Sequence, residues 1–342
     1  TIVYMRLLIV TQKVDKNDDI LGFFHRWILE FAKHYEFVTV IALQVGEYDL
    51  PDNVKVLSLG KEEGVSKVGY IFNFYRYIWS ERKSYDAVFV HMNQEYILLG
   101  WKLWKLWGKR IFLWRNHAKG NFLTRLSVFF SNKVFCTSKQ SFTARFKKTK
   151  IMPVGIDTDF FKSDSSINKK PNSILFLGRL DPVKNVDVFI EALRRLKGAG
   201  VEFSATIAGN ASSKNIGYEK VIRDKVLTYG LWGMVAFTGA VTQIGALKLY
   251  REHELYVNLT QSGSMDKTIF EAMASSMTPL VHNAGLKESL GQELILIKLN
   301  ADYIADKLSQ VLREKKDKNF RDLIVEEHSL KKLIDNLLKE IK

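Results

Sequence analysis

The chain has 342 residues, with 51 Lys+Arg against 37 Asp+Glu (net charge +14) and 46% hydrophobic content. That length exceeds what one small core organises, so two domains are expected, and the apolar content excludes a disordered chain. The lone Cys136 excludes an internal disulfide and a cysteine-based zinc site, which points to a reducing cytoplasm. No apolar run approaches the roughly 18 residues that span a bilayer.

In chain order, TIVYMRLLIV reads as a strand-like run, with Met5–Thr11 its apolar part, and it lacks a signal peptide's cleavage region. The polar loop VDKNDD follows, then an amphipathic helix from about Ile20 to His34. Phe37–Gln44, Ala87–His91, Ile111–Trp114 and Val134–Cys136 read as further buried strands, with helical stretches around 68–82, 94–107 and 139–147. After IMPVGIDTDFF, the segment KSDSSINKKPNS has the composition of a linker. A second series follows: strand Ile174–Leu177, helix Val186–Leu196, strand Ser204–Ala208, helix Tyr218–Thr228, and strands Val235–Phe237, Glu254–Leu259 and Pro279–His282. HSLKKLIDNLLKEIK closes the chain as an amphipathic helix with Ser329 as candidate N-cap. Strands alternating with helices predict parallel sheets covered on both faces. Two such series predict an α/β protein of two Rossmann-like doubly wound domains facing a cleft.

Charge is uneven. Residues 1–157 hold 24 Lys+Arg and 14 Asp+Glu, and between Tyr96 and Ile156 there are thirteen basic residues and no acidic one. At the start of that tract a helical projection of Leu98–Lys109 gathers Lys102, Lys105 and Lys109 on a narrow arc, with Trp101, Trp104, Trp107 and leucines over most of the remainder. This suits an interfacial helix with rings at headgroup depth and cations on anionic lipid. A core helix with a lysine-decorated solvent side has the same pattern, and both readings stay open. A nucleic-acid partner is disfavoured, because no RNA- or DNA-binding motif accompanies the basic tract.

Two junctions carry the chemistry. In SILFLGRLDPVKN an apolar run enters a turn at Gly178 that bears Arg179 and Lys184. In SGSMDKTIFEAMA a small turn enters an apolar helix bearing Glu271. Turn and helix N–H groups with an arginine and a lysine form a socket for a nucleoside diphosphate, and a carboxylate accepts hydrogen bonds well. Asp157-Thr-Asp159 mimics a D-x-D metal motif but lies beside Gly155 just before the linker, so no metal is assigned.

These motifs, GRLDPVKN, PVGID, FTGAV and ELYVNLTQSGSMDKTIFEAMASSMTPLVHNAGLKE, resemble those of glycosyltransferases of the two-Rossmann-domain (GT-B) architecture, most of all the retaining enzymes of glycosyltransferase family 4. The likeness covers nearly the whole chain. It implies an acceptor-side domain over 1–157, joined by the helix 329–342, and a nucleotide-sugar-binding domain over 158–328. It also implies transfer from a nucleoside-diphosphate sugar with retention of configuration and without a metal or other cofactor. By the same resemblance, His117, Arg179, Lys184 and Glu271 are catalytic, with His117 near the reacting carbon, the two cations on the leaving diphosphate and Glu271 on the ribose hydroxyls. Gly22, Gly178, Gly263, Ser264, Met265, Asp266, Lys267 and Thr268 line the donor. His91 is a second candidate to His117, and His282 a candidate lining residue.

The expected setting is glycan biosynthesis by a cytoplasmic enzyme peripheral on the inner face of an anionic membrane, acting on a glycan or lipid-linked acceptor. The resemblance breaks at Gly263, where the family carries a second glutamate that holds the donor sugar. Asp266 is either a substitute carboxylate or a helix cap. The same gap keeps open a catalytically silent binding or partner protein with this fold.

Overall fold

The computed structural model describes residues 3–260, 265–314 and 319–341, with backbone alone for residues 3 and 4. Contacts divide it into two units, residues up to Gly155 with the C-terminal helix, and Ile156–Ser329.

The first unit holds β1 (Val3–Val14), α1 (Gly22–Ala32), β2 (Tyr35–Val45), β3 (Val54–Ser58), α2 (Lys67–Ser80), β4 (Ala87–His91), α3 (Glu95–Leu106), β5 (Arg110–Trp114), α4 (Phe122–Phe130), β6 (Lys133–Cys136) and β7 (Thr149–Ile151). Its sheet runs β3-β2-β1-β4-β5-β6-β7, with every neighbouring pair parallel. Side chains alternate across a strand, so β1 feeds both layers. Leu7 and Ile9 join Phe24, Trp27 and Phe31 of α1 on one face, while Leu8 and Val10 join Phe74, Ile97 and Trp104 of α2 and α3 on the other.

The second unit holds β8 (Ser173–Leu177), α5 (Val186–Gly198), β9 (Ser204–Ala208), α6 (Ile216–Thr228), β10 (Val235–Gly239), α7 (Gln243–Glu252), β11 (Leu255–Asn258), α8 (Lys267–Ala274), β12 (Thr278–Val281), α9 (Lys287–Leu290), α10 (Ala301–Glu314) and α11 (Arg321–Leu323). Its parallel sheet is ordered β10-β9-β8-β11-β12. The α/β class with two parallel, helix-flanked sheets is as the sequence predicts.

Several local expectations change. The stretch 139–147 is only a 3-10 turn, Phe142–Arg145, because serine and threonine side chains hydrogen-bond nearby backbone in competition with a helix. Ser141 Oγ donates to the Asn116 carbonyl and Thr143 Oγ1 to that of Arg115. The edge strands β3 and β7, half-exposed, escaped notice for want of a buried apolar run. Within the basic tract α4 was also missed, although Asn121 and Thr124 close a reciprocal capping pair at its start. The lysine- and serine-rich segment 162–173 lies inside the second unit. There Lys169 Nζ donates to the Ser276 carbonyl (2.7 Å) and Lys170 pairs with Glu252 (3.2 Å).

After residue 329 the chain returns to the first unit as α12 (Leu330–Ile341). Its apolar arc, Leu333, Ile334, Leu337 and Ile341, is buried in the layer that α1 occupies. Gly155 fixes this joint. Trp27 Nε1 donates to its carbonyl (3.1 Å), its φ is +78°, and a Cβ there would sit 2.3 Å from Leu333 Cδ2 and 2.8 Å from Trp27 Cζ2. Gly155→Ala is therefore expected to destabilise the protein by about 1–3 kcal/mol through backbone strain and by about as much again through overpacking. Urea unfolding followed by tryptophan fluorescence measures it, and an unchanged midpoint refutes the packing described.

Candidate active site

In the second sheet β8 is laid down first, β9 and β10 add on one side, and β11 and β12 add on the other. The order thus reverses between β8 and β11, where the connections leaving adjacent carboxyl ends diverge and open a crevice for ligand. Both motifs singled out in the sequence leave these two strands.

Gly178 directly follows β8, and its N–H donates to the Ala208 carbonyl (3.0 Å). Gly209, with φ of +136°, approaches so closely that a Cβ would lie 2.0 Å from the Gly178 carbonyl oxygen. No side chain fits there, and the two turns lie backbone against backbone. Lys184 closes a short 3-10 turn and lays its stem beside Gly178, with Cε 3.8 Å from where a Cβ would stand. Asn185, left-handed at φ 53°, ties this turn to the end of β11 through a 2.8 Å bond from Nδ2 to the Leu259 carbonyl.

The Lys184 ammonium forms a largely buried ion pair with Asp266. The same carboxylate accepts from Asn258 Nδ2 and from Thr268 Oγ1, each at 3.1 Å, and the Tyr256 hydroxyl lies 2.6 Å behind Thr268 Oγ1. Burial alone would raise the Asp266 carboxyl, but Lys184, Asn258 and Thr268 outweigh it and hold the group below its usual range. Asp266 stands at the N-cap position of α8, yet its side chain makes no capping bond to the helix backbone. Of the two roles weighed for it, the geometry excludes side-chain capping.

Arg179 is the more exposed cation, resting 3.4 Å from Asp181. Asp181 is fixed in turn by Asn215 Nδ2 (2.7 Å) and Ser212 Oγ (3.0 Å). Glu271 is buried one turn into α8 and accepts from the Tyr250 hydroxyl at 3.0 Å. Burial and this carboxylate push the Tyr250 phenol far above its usual range, so it remains a neutral donor. Burial also pulls the Lys267 ammonium well below its usual range, against the opposing effect of Glu271. Met265 precedes Asp266 half-buried, while Gly263 and Ser264 lie outside the described residues. Sequence reasoning missed Tyr250, Tyr256 and Asn258. Only Asn258, a polar residue ending an apolar run, carried any signal.

The first unit presents its candidates separately. Gly22 opens α1, buried, with its N–H donating to the Asp18 carbonyl (3.1 Å). The loop before it is ordered by Lys13, which pairs with Asp18 (2.5 Å) and Asp15 (3.2 Å). His91 is a core ring, stacked on Phe24 at 3.8 Å with Nδ1 3.0 Å from Thr11 Oγ1. His117 is exposed on a loop after β5 that Arg115 pins through the carbonyls of His117 and Lys119, while its own Nδ1 meets the Lys119 backbone at 3.0 Å. In the second unit His282 Nδ1 donates to the Leu296 carbonyl (2.7 Å). Asp157 of the D-x-D sequence accepts from the backbone N–H of Asp159 and Phe160, a local turn. Among the described residues no three His, Cys, Asp or Glu side chains are grouped to hold a metal.

In the tryptophan-lysine helix the structure corrects one expected surface contact, Trp104. Trp104 is fully buried against Phe74, Trp101 stacks on Phe130 at 3.8 Å, and Trp107 meets Trp79 edge-on. Lys109 donates to the Tyr85 carbonyl, leaving Lys102 and Lys105 as the exposed cations. Trp104 thus belongs to the core between α2 and α3, while Trp101 and Trp107 are half-buried and Leu106 stays exposed.

The buried pair yields a test. The Asp266 carboxyl is depressed in the folded state, so its stabilisation is complete above the unfolded value near 3.8 and fades as pH falls through the folded value. Asp266→Asn is expected to cost about 3–5 kcal/mol at pH 7, and the deficit should shrink below about pH 4. Urea titrations of both proteins across pH 3–7 measure this, and a pH-independent deficit refutes the assignment.

Residues 157–328 match the family model described as glycosyl transferases group 1. Over 108 residues the chain is 28% identical to the lipopolysaccharide core biosynthesis mannosyltransferase LpcC of Rhizobium leguminosarum bv. viciae, a match covering 32% of this chain and 30% of that protein. The chain thus spans about a third of the length of the curated relative it matches. In fold it is similar to Anabaena Alr3699/HepE in complex with UDP and glucose (TM-score 0.79, 14% identity, 99% of each chain). It is likewise similar to the sucrose-phosphate synthase of Thermosynechococcus elongatus (TM-score 0.75, 13% identity, 98% of this chain and 99% of that one). With the family model spanning the unit that holds both motifs, this chain belongs to the glycosyl transferases group 1 family.

Proposed function

We propose that the protein transfers a sugar from a nucleoside-diphosphate sugar to a glycan or lipid-linked acceptor with retention of anomeric configuration, as a family 4 enzyme. The observation that carries this is the position of Lys184, held by Asp266 over the glycine turn at the β8/β11 reversal. A cation so fixed costs little reorganisation when negative charge develops on a leaving diphosphate. Arg179 adds a second, mobile cation from the same turn, and the start of α8 offers the N–H groups of Lys267 and Thr268 to the phosphates. Glu271, oriented by Tyr250, accepts hydrogen bonds from the ribose hydroxyls. With two side-chain cations supplying the counter-charge, the step requires no metal. The Anabaena protein, solved with UDP and glucose, is consistent with such a donor.

In the reaction the bond from the anomeric carbon to the diphosphate oxygen breaks, and a bond to the acceptor hydroxyl forms on the same face. The acceptor's proton passes to the departing phosphate oxygen, and His117 contacts the donor sugar near the reacting carbon. The acceptor is presented at an anionic membrane surface, in keeping with the acid-free basic tract. The mannosyltransferase of Rhizobium likewise bears a name from lipopolysaccharide core biosynthesis. A silent binding protein is the second reading, favoured by Gly263 standing where the family carries glutamate.

Arg179→Ala, Lys184→Ala and Glu271→Ala are each expected to lower transfer, or slow donor hydrolysis, at least about 10²-fold with an unchanged far-UV spectrum. Activity should persist in EDTA. No turnover of any sugar nucleotide by the intact protein favours the silent reading, and a strict Mn²⁺ or Mg²⁺ requirement overturns the metal-independent step.

Stereochemistry gives a separate check. An α-linked donor should yield an α-linked product, read from the anomeric coupling in the proton NMR spectrum, and a β linkage refutes retention.

A further inference from the structure

We infer that the outward face of α2, with the neighbouring surfaces of α3 and α4, is the element by which this chain docks on an anionic lipid surface. The inference rests on the reading of a membrane-borne acceptor and moves the contact away from the tryptophans of α3. Only Phe74 and Ile78 of the fourteen residues of α2 are buried. Val68, Phe72, Tyr75 and Trp79 recur at helical spacing on a different arc, with Ile71 beside them, and Val68, Phe72 and Trp79 are 77%, 65% and 54% exposed. A helix on a soluble surface turns a polar face outward; this one turns out aliphatic and aromatic side chains.

The stripe continues onto its neighbours. The Trp79 ring meets Trp107 edge-on, and the Tyr75 hydroxyl donates to the Leu99 carbonyl (2.9 Å), joining α2 to α3. Leu106 of α3 is 78% exposed, and on α4 Phe122 and Phe129 are exposed as well. Exposed apolar side chains gathered on three packed helices mark a binding face.

Charge identifies the occupant. Neither α2 nor α4 contains an acidic residue, and α3 has one, Glu95 in its first turn. Cations sit among the rings: the Arg82 guanidinium lies 5.0 Å from the Trp79 ring, and Lys105 lies 5.8 Å from Trp101 and 5.7 Å from Phe130. Lys102 is exposed on the same helix. At the flanks of α2, Glu81 is paired with Lys55 (2.9 Å), and Glu62 and Glu63 stand in the turn before the helix. Apolar side chains to insert and cations that outnumber the single acid of the three helices, Glu95, match a headgroup layer of negative charge. Among the described residues no helix is long and apolar enough to cross a membrane, so the contact is an interfacial one.

The test is co-sedimentation of the intact protein with vesicles of phosphatidylcholine alone and with 30% phosphatidylglycerol. Wild type should bind the anionic vesicles, and Val68→Ser/Phe72→Ser, which leaves the Trp79–Trp107 contact in place, should weaken that binding at least about tenfold. Lys102→Glu/Lys105→Glu should weaken it at low salt and much less at high salt, where the ionic part is already screened. Far-UV spectra check that the variants fold. Should the serine pair fail that check, Trp79→Ser is used instead with the same expectation. Binding to neither vesicle, or equal binding by wild type and the serine variant, overturns the inference. So does a wild-type dimer in sedimentation velocity that the serine variant alone dissociates, since the face then belongs to a second copy. Release of nucleoside diphosphate in membrane-free solution reads the transfer proposal independently. A protein that turns over its donor but ignores vesicles fails only here, and one that binds vesicles without turnover fails only there.

Discussion

Parallel strands cannot be joined by tight turns, so each connection must travel back along the sheet, and here most do so as helices. That constraint organises the molecule. It buries both faces of each sheet, sends every carboxyl strand end to one edge, and leaves backbone groups there unspent where the order reverses. In the second unit the reversal between β8 and β11 collects a glycine turn, a lysine, an aspartate and the start of a helix. In the first unit the corresponding reversal, between β1 and β4, is filled by the His91 ring under Phe24. The same topological reversal carries the Lys184–Asp266 pair beside a glycine turn in one sheet and an aromatic stack in the other.

The electrostatics of the open crevice are balanced. A lysine held beside a glycine turn would repel Arg179 and draw in solvent anions. Asp266 offsets it, and Asn258 and Thr268 complete the hydrogen bonds of that carboxylate. Under the donor proposed above, an incoming diphosphate would meet a cation already oriented and partly neutralised, which trades affinity for order. Burial pulls the Lys267 ammonium down at the same helix start, against the opposing effect of Glu271.

Much of this was legible in the sequence because the parts are local. GRLDPVKN and MDKTIFEAMA each combine an apolar run, a turn and a charge within a dozen residues, and their adjacency follows from strand order. What escaped depends on distance. Tyr250 reaches Glu271 from another helix, and Gly209 is required only because the Gly178 turn passes against it. Trp104 illustrates the opposite failure. A helical projection treats a helix as having one buried side, whereas α3 lies between two others and buries a wider arc. The exposed stripe of α2 was overlooked for the same reason, since its apolar periodicity reads as core until the neighbours are placed.

The return of α12 has a consequence for synthesis. Its leucines and isoleucines complete the layer around Trp27 and Phe31, yet they are translated after all of Ile156–Ser329. During elongation the second unit possesses its full complement of residues while the first still lacks one helix of its core. The α1 side of the first sheet therefore emerges from the ribosome with an uncovered apolar trough, and it stays uncovered for the time taken to translate more than 170 further residues. On the nascent chain the natural client of a chaperone is the part made first, and its release is set by the part made last.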